Sequence, residues 1–216
     1  MKKPSLFVAS LCAGLWSVGL SLHAGDPVTL FGGSDLSAWT MDSEGAWVAK
    51  DGELQPAEGG KGYAWTKETY GDFKLTLEFK MSKDCNSGVF FRTDPKNPVQ
   101  GGFEIQVMDS AAKSELDKHD CGALYDALAP STNAAKPAGE WNTMSITCKG
   151  PMVTVVLNGK TVVEANLDQW TTAGQNPDGS QNKFKTALKD LPRDNHIGLQ
   201  NHGHPVWYRN IKVERL

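Results

Sequence analysis

Residues 152–166 read MVTVVLNGKTVVEAN, and this stretch sets the fold class. Its apolar side chains recur at every second position, as Val153 and Val155 do, which is the period of a β-strand with one buried face. Asn158 and Gly159, near the middle, accept the positive φ angles of a two-residue turn. The stretch therefore predicts a β-hairpin that reverses direction at the Asn-Gly pair.

The same alternation recurs on both sides of the hairpin in short bursts separated by Gly, Pro, Asn and Asp, which is typical of antiparallel sheets joined by turns. Helical periodicity is limited to residues 182–191, NKFKTALKDL, where two helical turns would end before Pro192. We therefore predict one all-β domain over residues 25–216, a sandwich of two antiparallel sheets with one short helix. The other predicted strands are FKLTLEFKM, SGVFFRT, GFEIQVMD, WNTMSITCKG, HIGLQNHG and PVWYRNIKVERL.

The segment Met1–Ala24 has the composition of a secretory signal peptide. Lys2 and Lys3 precede the apolar run LFVASLCAGLWSVGL, and small residues close the segment at SLHA. Gly and Ser interrupt this run, which is shorter than the roughly 20 apolar residues that span a bilayer. Cys12 lies in the middle of the run, unlike a lipid-modified cysteine at its end. We therefore expect cleavage of residues 1–24 and a periplasmic or secreted mature chain.

The charge balance disfavours nucleic acid as a partner. The chain has 22 basic and 25 acidic residues, a formal net charge of −3, and loss of Lys2 and Lys3 with the leader would leave 20 basic residues and a charge of about −5. A mildly acidic chain lacks the basic surface that phosphate backbones attract. No other apolar run is long enough to cross a membrane, so we expect no membrane association after the leader is removed.

Three cysteines remain in the mature chain, which is an odd number for an oxidising compartment. One disulfide and one buried thiol is the simplest arrangement. Cys148 lies on the alternating strand WNTMSITCKG, so we expect it to be the free thiol. The predicted disulfide therefore joins Cys85 and Cys121.

A set of polar side chains falls on the outer faces of three predicted strands. In GGFEIQVMDS, residues 101–110, the apolar residues Phe103 and Ile105 point inward, so Glu104 points outward with its neighbours two positions away. A single Glu on a strand face is common at a solvated surface, but a carboxylate, a cation, two amides and an imidazole together indicate a binding trough. The outward-pointing set is Phe90, Arg92, Glu104, Gln106, Gln200 and His202.

Two long polar stretches, residues 110–139 and 168–183, exceed plain turns, and insertions of that length usually serve a site. Asp109 and Tyr125 stand where chain leaves a strand for a loop, the usual position of functional groups. The segments NHGHP and DKHDC contain His and Asp, but neither provides a complete ligand set. We therefore expect no required cofactor, while a bound calcium or another divalent metal stays open.

Seven motifs occur in a distinctive order along the mature chain: LFGGSDLSAW, NSGVFFRT, GGFEIQVMD, CGALYDALAP, KPAGEWNTMSITCKG, VTVVLNGKTV and IGLQNHGHPVWYRNIKVERL. With these motifs the chain resembles the bacterial 3-keto-disaccharide hydrolase domain family over nearly all of its mature length. Two departures from the family's pattern are Asn201, where many members have Asp, and Asn195, where a glycine is common. The first leaves open whether His202 needs an acidic partner.

This resemblance implies a concanavalin A-like jelly-roll sandwich, secretion, and cleavage of sugars already oxidised at C3, by hydrolysis or by elimination and hydration. A ketone at C3 makes the C2 proton acidic, so a base can form an enolate that expels the C1 substituent. Glu104 or His202 would be the base, and Arg92 would hold the oxyanion. Asp109, Tyr125 or His202 would deliver a proton to the leaving oxygen. The alternative is a carbohydrate-binding module, which would need no titratable pair.

Overall fold

The computed structural model describes residues 25–43 and 45–216, and the predicted leader lies outside them. The described chain folds into strands and turns with almost no helix, which confirms the all-β prediction. The strands are β1 (Val28–Phe31), β2 (Trp39–Met41), β3 (Trp47–Lys50), β4 (Glu53–Pro56), β5 (Gly62–Tyr70), β6 (Phe73–Met81), β7 (Asn86–Thr93), β8 (Phe103–Met108), β9 (Asn142–Lys149), β10 (Met152–Leu157), β11 (Lys160–Asn166), β12 (Asn195–Asn201) and β13 (Val206–Arg215).

The strands form two sheets in which neighbours run antiparallel. An eight-stranded sheet has the order β11-β10-β9-β6-β13-β4-β3, with β1 also paired to β13. A five-stranded sheet has the order β2-β5-β12-β7-β8. The three strands that carry the predicted trough, β12, β7 and β8, are therefore direct neighbours.

The core lies between the two sheets. Strand β6 buries every second residue, as period-two patterning requires. Phe73 on the eight-stranded sheet and Phe91 on the five-stranded sheet have ring centroids 6.5 Å apart. The hydroxyls of Ser87 and Tyr208 also meet across the core at 2.8 Å, so these buried polar groups satisfy each other. The inner face of each sheet is thus occupied by packing, which leaves the outer face for a site.

The β10–β11 hairpin forms as predicted. Asn158 has φ of 49° and Gly159 has φ of 80°, which are the left-handed values of a two-residue hairpin turn. Val155 pairs with Val163 across the hairpin. The Asn-Gly pair therefore sets the strand register here.

The helix predicted over residues 182–191 is wrong. Within the described residues, helix is limited to single 3₁₀ turns at Leu167–Gln169 and Leu188–Asp190. The N–H groups of Lys183, Phe184 and Lys185 instead donate to side-chain oxygens of Asp126, Asn182 and Gln100. Two of these bonds tie the segment to the loops of Asp126 and Gln100, and of the predicted range only Leu188–Asp190 is helical.

The predicted Cys85–Cys121 disulfide is also wrong, since both residues are free thiols. Burial, together with nearby Cys121, raises the pKa of Cys85 to about 12. Cys148 is free and buried, as predicted. A buried thiol packs as a small apolar side chain, so a count of cysteines alone could not distinguish pairing from packing.

No helix among the described residues has the length and apolar character of a membrane span.

Candidate functional site

A pocket of about 300 Å³ lies on the outer face of the five-stranded sheet. Its floor is built by the register of three strands, in which Phe90 pairs with both Glu104 and Gly198. The side chains that line it are Tyr63, Asn86, Phe90, Val99, Glu104, Gln106, Tyr125, Lys183, Gln200 and His202. The lining includes six side chains that the sequence singled out. Strand alternation predicted Phe90, Glu104, Gln106, Gln200 and His202, and loop position predicted Tyr125.

Glu104 is the most unusual group in the pocket because it is a carboxylate with only 7% of its surface exposed. Burial raises its pKa to about 7, and Lys183 opposes that rise. The carboxamide of Gln106 lies 3.3 Å from Oε1. A Cβ on Gly88 would come within 2.1 Å of the same oxygen, so a glycine is needed there. The floor is therefore shaped around a carboxyl group that titrates near neutral pH.

Lys183 supplies the positive charge of the pocket. Its Nζ lies 3.9 Å from Glu104 Oε2 and 4.0 Å from the ring centroid of Tyr125. Burial lowers the pKa of this amine, while Glu104 and Asp126 act in the opposite direction. Burial also raises the pKa of the Tyr125 hydroxyl, which keeps it protonated as a hydrogen-bond donor.

Asp126 connects the two loops that carry these walls. Its Oδ2 accepts the N–H of Lys183 at 2.5 Å, and its Oδ1 lies 2.9 Å from Lys118 Nζ. Asp126 itself has φ of 61°, a left-handed conformation that Asp tolerates better than most residues. The backbone N–H of Tyr125 donates to the carbonyl of Glu104. Through these bonds, the loops hold Lys183 and Tyr125 against the strand that carries Glu104.

Aromatic rings form the opposite side of the pocket. Tyr63 stacks on Trp65 with centroids 5.0 Å apart and meets Phe90 edge-on at 5.2 Å. A Cβ on Gly198 would come within 2.3 Å of the Trp65 ring, so glycine allows this packing. Trp65 Nε1 donates to Asp42 at 3.0 Å. These contacts fix Tyr63 and Phe90 as an apolar wall facing the charged groups.

A larger cleft of about 660 Å³ lies elsewhere, between strands β3 and β4 and residues 201–205. Its carboxylate, Glu58, is solvent-exposed. We assign the site to the smaller pocket because it alone combines a buried carboxyl, an amine and aromatic walls among the described clefts.

Arg92 does not lie in the pocket, and the predicted oxyanion role is wrong. Phe90 and Thr93 on β7 pair with Gly198 and His196 on β12, so two residues of β7 lie opposite one residue of β12. Arg92, one of those two residues, adopts φ of 48°. This bulge breaks the alternation that predicted an outward side chain. The fully buried guanidinium donates to the carbonyls of Gly71 and Gly150 and pairs with Asp72, so it ties together two turns.

Asp109 is also absent from the pocket lining. Its carboxylate accepts the backbone N–H of Asp84 at 3.0 Å, across the start of the neighbouring strand. The structure therefore gives Asp109 a turn-stabilising contact in place of the predicted catalytic one.

Four lining residues were not predicted from the sequence, namely Tyr63, Asn86, Val99 and Lys183. Lys183 lies at the end of the polar stretch 168–183, whose length indicated a site but whose contacts depend on tertiary structure. Tyr63 and Trp65 lie two positions apart on β5, and this spacing, which puts both rings on one face of the strand, was the available signal for Tyr63. Asn86 and Val99 carry no comparable signal in the sequence.

Metal-ligating side chains do not cluster in residues 25–43 and 45–216: no three of His, Cys, Asp and Glu converge there as a candidate ion site. His202 lines the pocket, and His204 lines the other cleft. Two histidines that flank one glycine thus face different cavities.

Comparisons with known proteins bear on the same domain. A family model described as a 3-keto-alpha-glucoside-1,2-lyase-like domain matches residues 26–214. The chain is 30% identical over 239 aligned positions to a Bacteroides thetaiotaomicron protein named 3-keto-disaccharide hydrolase, which covers 93% of this chain and 82% of that protein.

Solved structures agree on the architecture. A Parabacteroides distasonis protein described as a glycosyl hydrolase superposes with a TM-score of 0.82 at 33% identity, covering 89% of this chain and 100% of that one. A Bacillus licheniformis β-glucanase superposes with a TM-score of 0.52 at 12% identity, covering 90% and 100% of the two chains. The second likeness concerns the fold alone and confirms the concanavalin A-like jelly-roll prediction.

Proposed function

The chain belongs to the 3-keto-α-glucoside-1,2-lyase-like domain family, and from this premise we propose that it cleaves the glycosidic bond of 3-keto-disaccharides or related 3-keto-glycosides. Its similarity to a named hydrolase supports an enzyme that acts on glycosides. The observation that carries the proposal is the buried carboxyl of Glu104, which faces an amine in a sugar-sized pocket.

The pocket suits proton abstraction next to a ketone better than ordinary glycoside hydrolysis. Ordinary hydrolysis uses two carboxylates about 5 to 10 Å apart on either side of the anomeric carbon. Glu104 is the one carboxylate in the pocket lining that the structure describes. With a C3 ketone, one base can remove the C2 proton, and the electron pair left behind expels the C1 oxygen.

Of the two candidate bases that the sequence left open, Glu104 and His202, we propose Glu104. Its pKa of about 7 gives substantial carboxylate at neutral pH and enough basicity to take a proton. Lys183 replaces Arg92 as the cation beside the ketone. Tyr125, with its raised pKa, or His202 protonates the leaving oxygen.

A carbohydrate-binding module is the second candidate, and the aromatic side chains disfavour it. Such a module would present free Trp or Tyr faces to sugar rings. Among the described Trp residues, Trp141 and Trp207 are the least buried, but Lys80 Nζ lies 4.8 Å from both ring centroids. The Arg209 guanidinium lies 3.9 Å from the Trp141 centroid. A cation therefore already lies over each of these two Trp rings.

The reaction is proposed to take place outside the cytoplasm, in the periplasm or the medium. This part rests on the signal-peptide pattern of residues 1–24. N-terminal sequencing of the protein from the periplasmic fraction should begin near residue 25, whereas an intact Met1 in the cytoplasmic fraction would contradict export.

The test is to incubate the protein with a 3-keto-disaccharide and, separately, with its unoxidised parent. Release of the second sugar is expected from the keto substrate alone, since the parent has no acidic C2 proton. Equal release from both would indicate conventional hydrolysis. Binding without release from either would indicate the carbohydrate-binding module.

A further inference from the structure

We propose that Lys183 acts as a nucleophile that forms a transient iminium bond with the C3 ketone of the substrate. This inference rests on the proposed function, because it requires a carbonyl at C3. It makes Lys183 a covalent catalytic residue and gives the elimination a nitrogen electron sink in place of an oxyanion hole.

The first observation is that the amine is free to react. Within the described part of the chain, Lys183 Nζ has no hydrogen-bond acceptor, and its nearest carboxylate oxygen is 3.9 Å away on Glu104. Its side chain is only 26% exposed and lies against the Tyr125 and Phe184 rings. A desolvated lysine in such surroundings is the usual form of a Schiff-base nucleophile.

The second observation is that the lysine is held in place from its own backbone. The consecutive N–H groups of Lys183, Phe184 and Lys185 each donate to a side chain. Phe184 is buried immediately beside the lysine. A fixed backbone with a free Nζ aims the amine at one place in the pocket, which a nucleophile needs and a solvated surface lysine lacks.

The third observation is the absence of another cation. Arg92 bonds to two turns outside the pocket, and the described lining contains no second Lys or Arg. Among the described lining residues, Lys183 is therefore the one Lys or Arg side chain that an enolate could meet. An iminium needs no separate oxyanion donor, because the positive charge is bonded directly to C3.

The Lys183 ammonium first gives one proton to solvent, and the resulting neutral amine adds to C3 as the carbonyl electron pair moves to oxygen. One proton from the nitrogen and one from solvent convert that oxygen to water, whose loss leaves a C3=N⁺ iminium. Glu104 takes the C2 proton, and the C–H electron pair forms a C2=C3 enamine. The nitrogen lone pair then re-forms the C3=N⁺ bond, the C2=C3 electron pair forms a C1=C2 bond, and the C1–O bond breaks with its electron pair on oxygen. The leaving oxygen takes a proton from Tyr125 or His202.

The product at this point is a C1=C2 alkene conjugated to the iminium. Hydrolysis of the iminium consumes the water released earlier and restores both Lys183 and the C3 ketone. Addition of a second water across C1=C2 gives net hydrolysis, and release before that addition gives net elimination. The same lysine thus serves both outcomes.

The test is reductive trapping. The protein is incubated with a 3-keto-disaccharide and sodium cyanoborohydride, which reduces iminium ions faster than ketones, and its peptides are then analysed by mass spectrometry. We expect a sugar adduct on Lys183 and progressive loss of activity. Glu104→Gln should still be trapped, because the iminium forms before the proton transfer that this variant blocks.

Lys183→Arg keeps the positive charge but cannot form an iminium, so its turnover should fall on the order of a hundredfold or more. Lys185→Met, an exposed neighbour on the same loop, is the matched control and should keep normal turnover and trapping. If the wild type turns over the keto substrate normally, either of two results would overturn the iminium and leave the proposed function standing. One is the absence of any adduct, and the other is a Lys183→Arg variant with more than a tenth of wild-type activity. Absence of both turnover and adduct on the keto substrate would overturn both.

Discussion

Two charged side chains are buried on neighbouring strands of the same sheet, and they have opposite surroundings. Arg92 on β7 is fully buried, and it donates to two carbonyls and pairs with Asp72. Glu104 on β8 is almost as deeply buried, but its nearest cation is 3.9 Å away. A buried charge that is fully paired holds a fold together, whereas one that is left incompletely paired indicates a functional site.

The contrast predicts that Arg92 affects stability and not chemistry. Arg92→Met removes the donors to Gly71, Gly150 and Asp72, so the free energy of unfolding should fall by about 3 kcal/mol. Turnover per folded molecule should stay within about twofold, since the side chain lies outside the pocket. Chemical denaturation and active-site-normalised turnover measure the two quantities.

Arg215→Met is the matched control for this experiment. Its guanidinium is 41% exposed and lies 4.0 Å from Glu68, so its loss should cost less than about 1 kcal/mol. A catalytic defect in Arg92→Met at temperatures where the variant is folded would contradict the separation of the two regions.

The second prediction concerns the pH dependence of the rate. If Glu104 is the base, only its carboxylate form is active, and burial raises its pKa to about 7. The value of kcat/KM should therefore fall about tenfold per pH unit well below pH 7 and approach a plateau above it, a change of nearly a hundredfold between pH 5 and 8. A rate profile that is flat from pH 5 to 7 would remove Glu104 from that role.

The raised pKa of Glu104 also predicts that its charge lowers the free energy of unfolding, whereas the charge of Arg92 raises it. A carboxyl group whose pKa rises on folding binds more protons in the folded state, so wild-type stability should decrease as pH rises from about 4.5 to about 7. Glu104→Gln cannot ionise, so it should gain stability relative to wild type across this window, by about 2.5 kcal/mol. Thermal unfolding of both proteins at pH 5 and pH 8 measures the difference.

A smaller effect is expected at Asp126, which holds the Lys183 backbone without lining the pocket. Asp126→Asn keeps the size of the side chain but weakens the bond to that N–H and the contact with Lys118. We expect kcat to fall about tenfold, because a displaced catalytic group is poorly oriented toward the substrate. The pKa of Glu104 seen in the rate profile should also shift, because Lys183 moves relative to Glu104. An unchanged profile with reduced stability would make Asp126 purely structural.

The two regions also show what sequence patterning can and cannot predict. Alternation along β8 placed Glu104 and Gln106 outward correctly, because a strand face follows from a period of two. The same rule failed at Arg92, where a one-residue bulge inverted the alternation. A bulge depends on the partner strand, and therefore no pattern within SGVFFRT could reveal it.

The walls of the pocket were harder to predict than its floor. Tyr125 and Lys183 lie 58 positions apart on two long loops, and Asp126 joins those loops through one carboxylate. Loop lengths indicated that a site existed, but which side chains meet depends on side-chain-to-backbone bonds that leave no periodic signal. The disulfide prediction failed for a similar reason, since burial rather than pairing explains the positions of the cysteines.

The central claim is that the buried carboxyl of Glu104 removes a proton from the substrate, and one measurement tests it directly. Turnover of a 3-keto-disaccharide is compared in wild type, Glu104→Gln, and the control Glu78→Gln, whose carboxylate pairs with Arg209 on the other sheet. We expect a loss on the order of a hundredfold or more for Glu104→Gln with its fold intact by circular dichroism, and near-normal turnover for the control. A folded Glu104→Gln protein that retains wild-type turnover would contradict it.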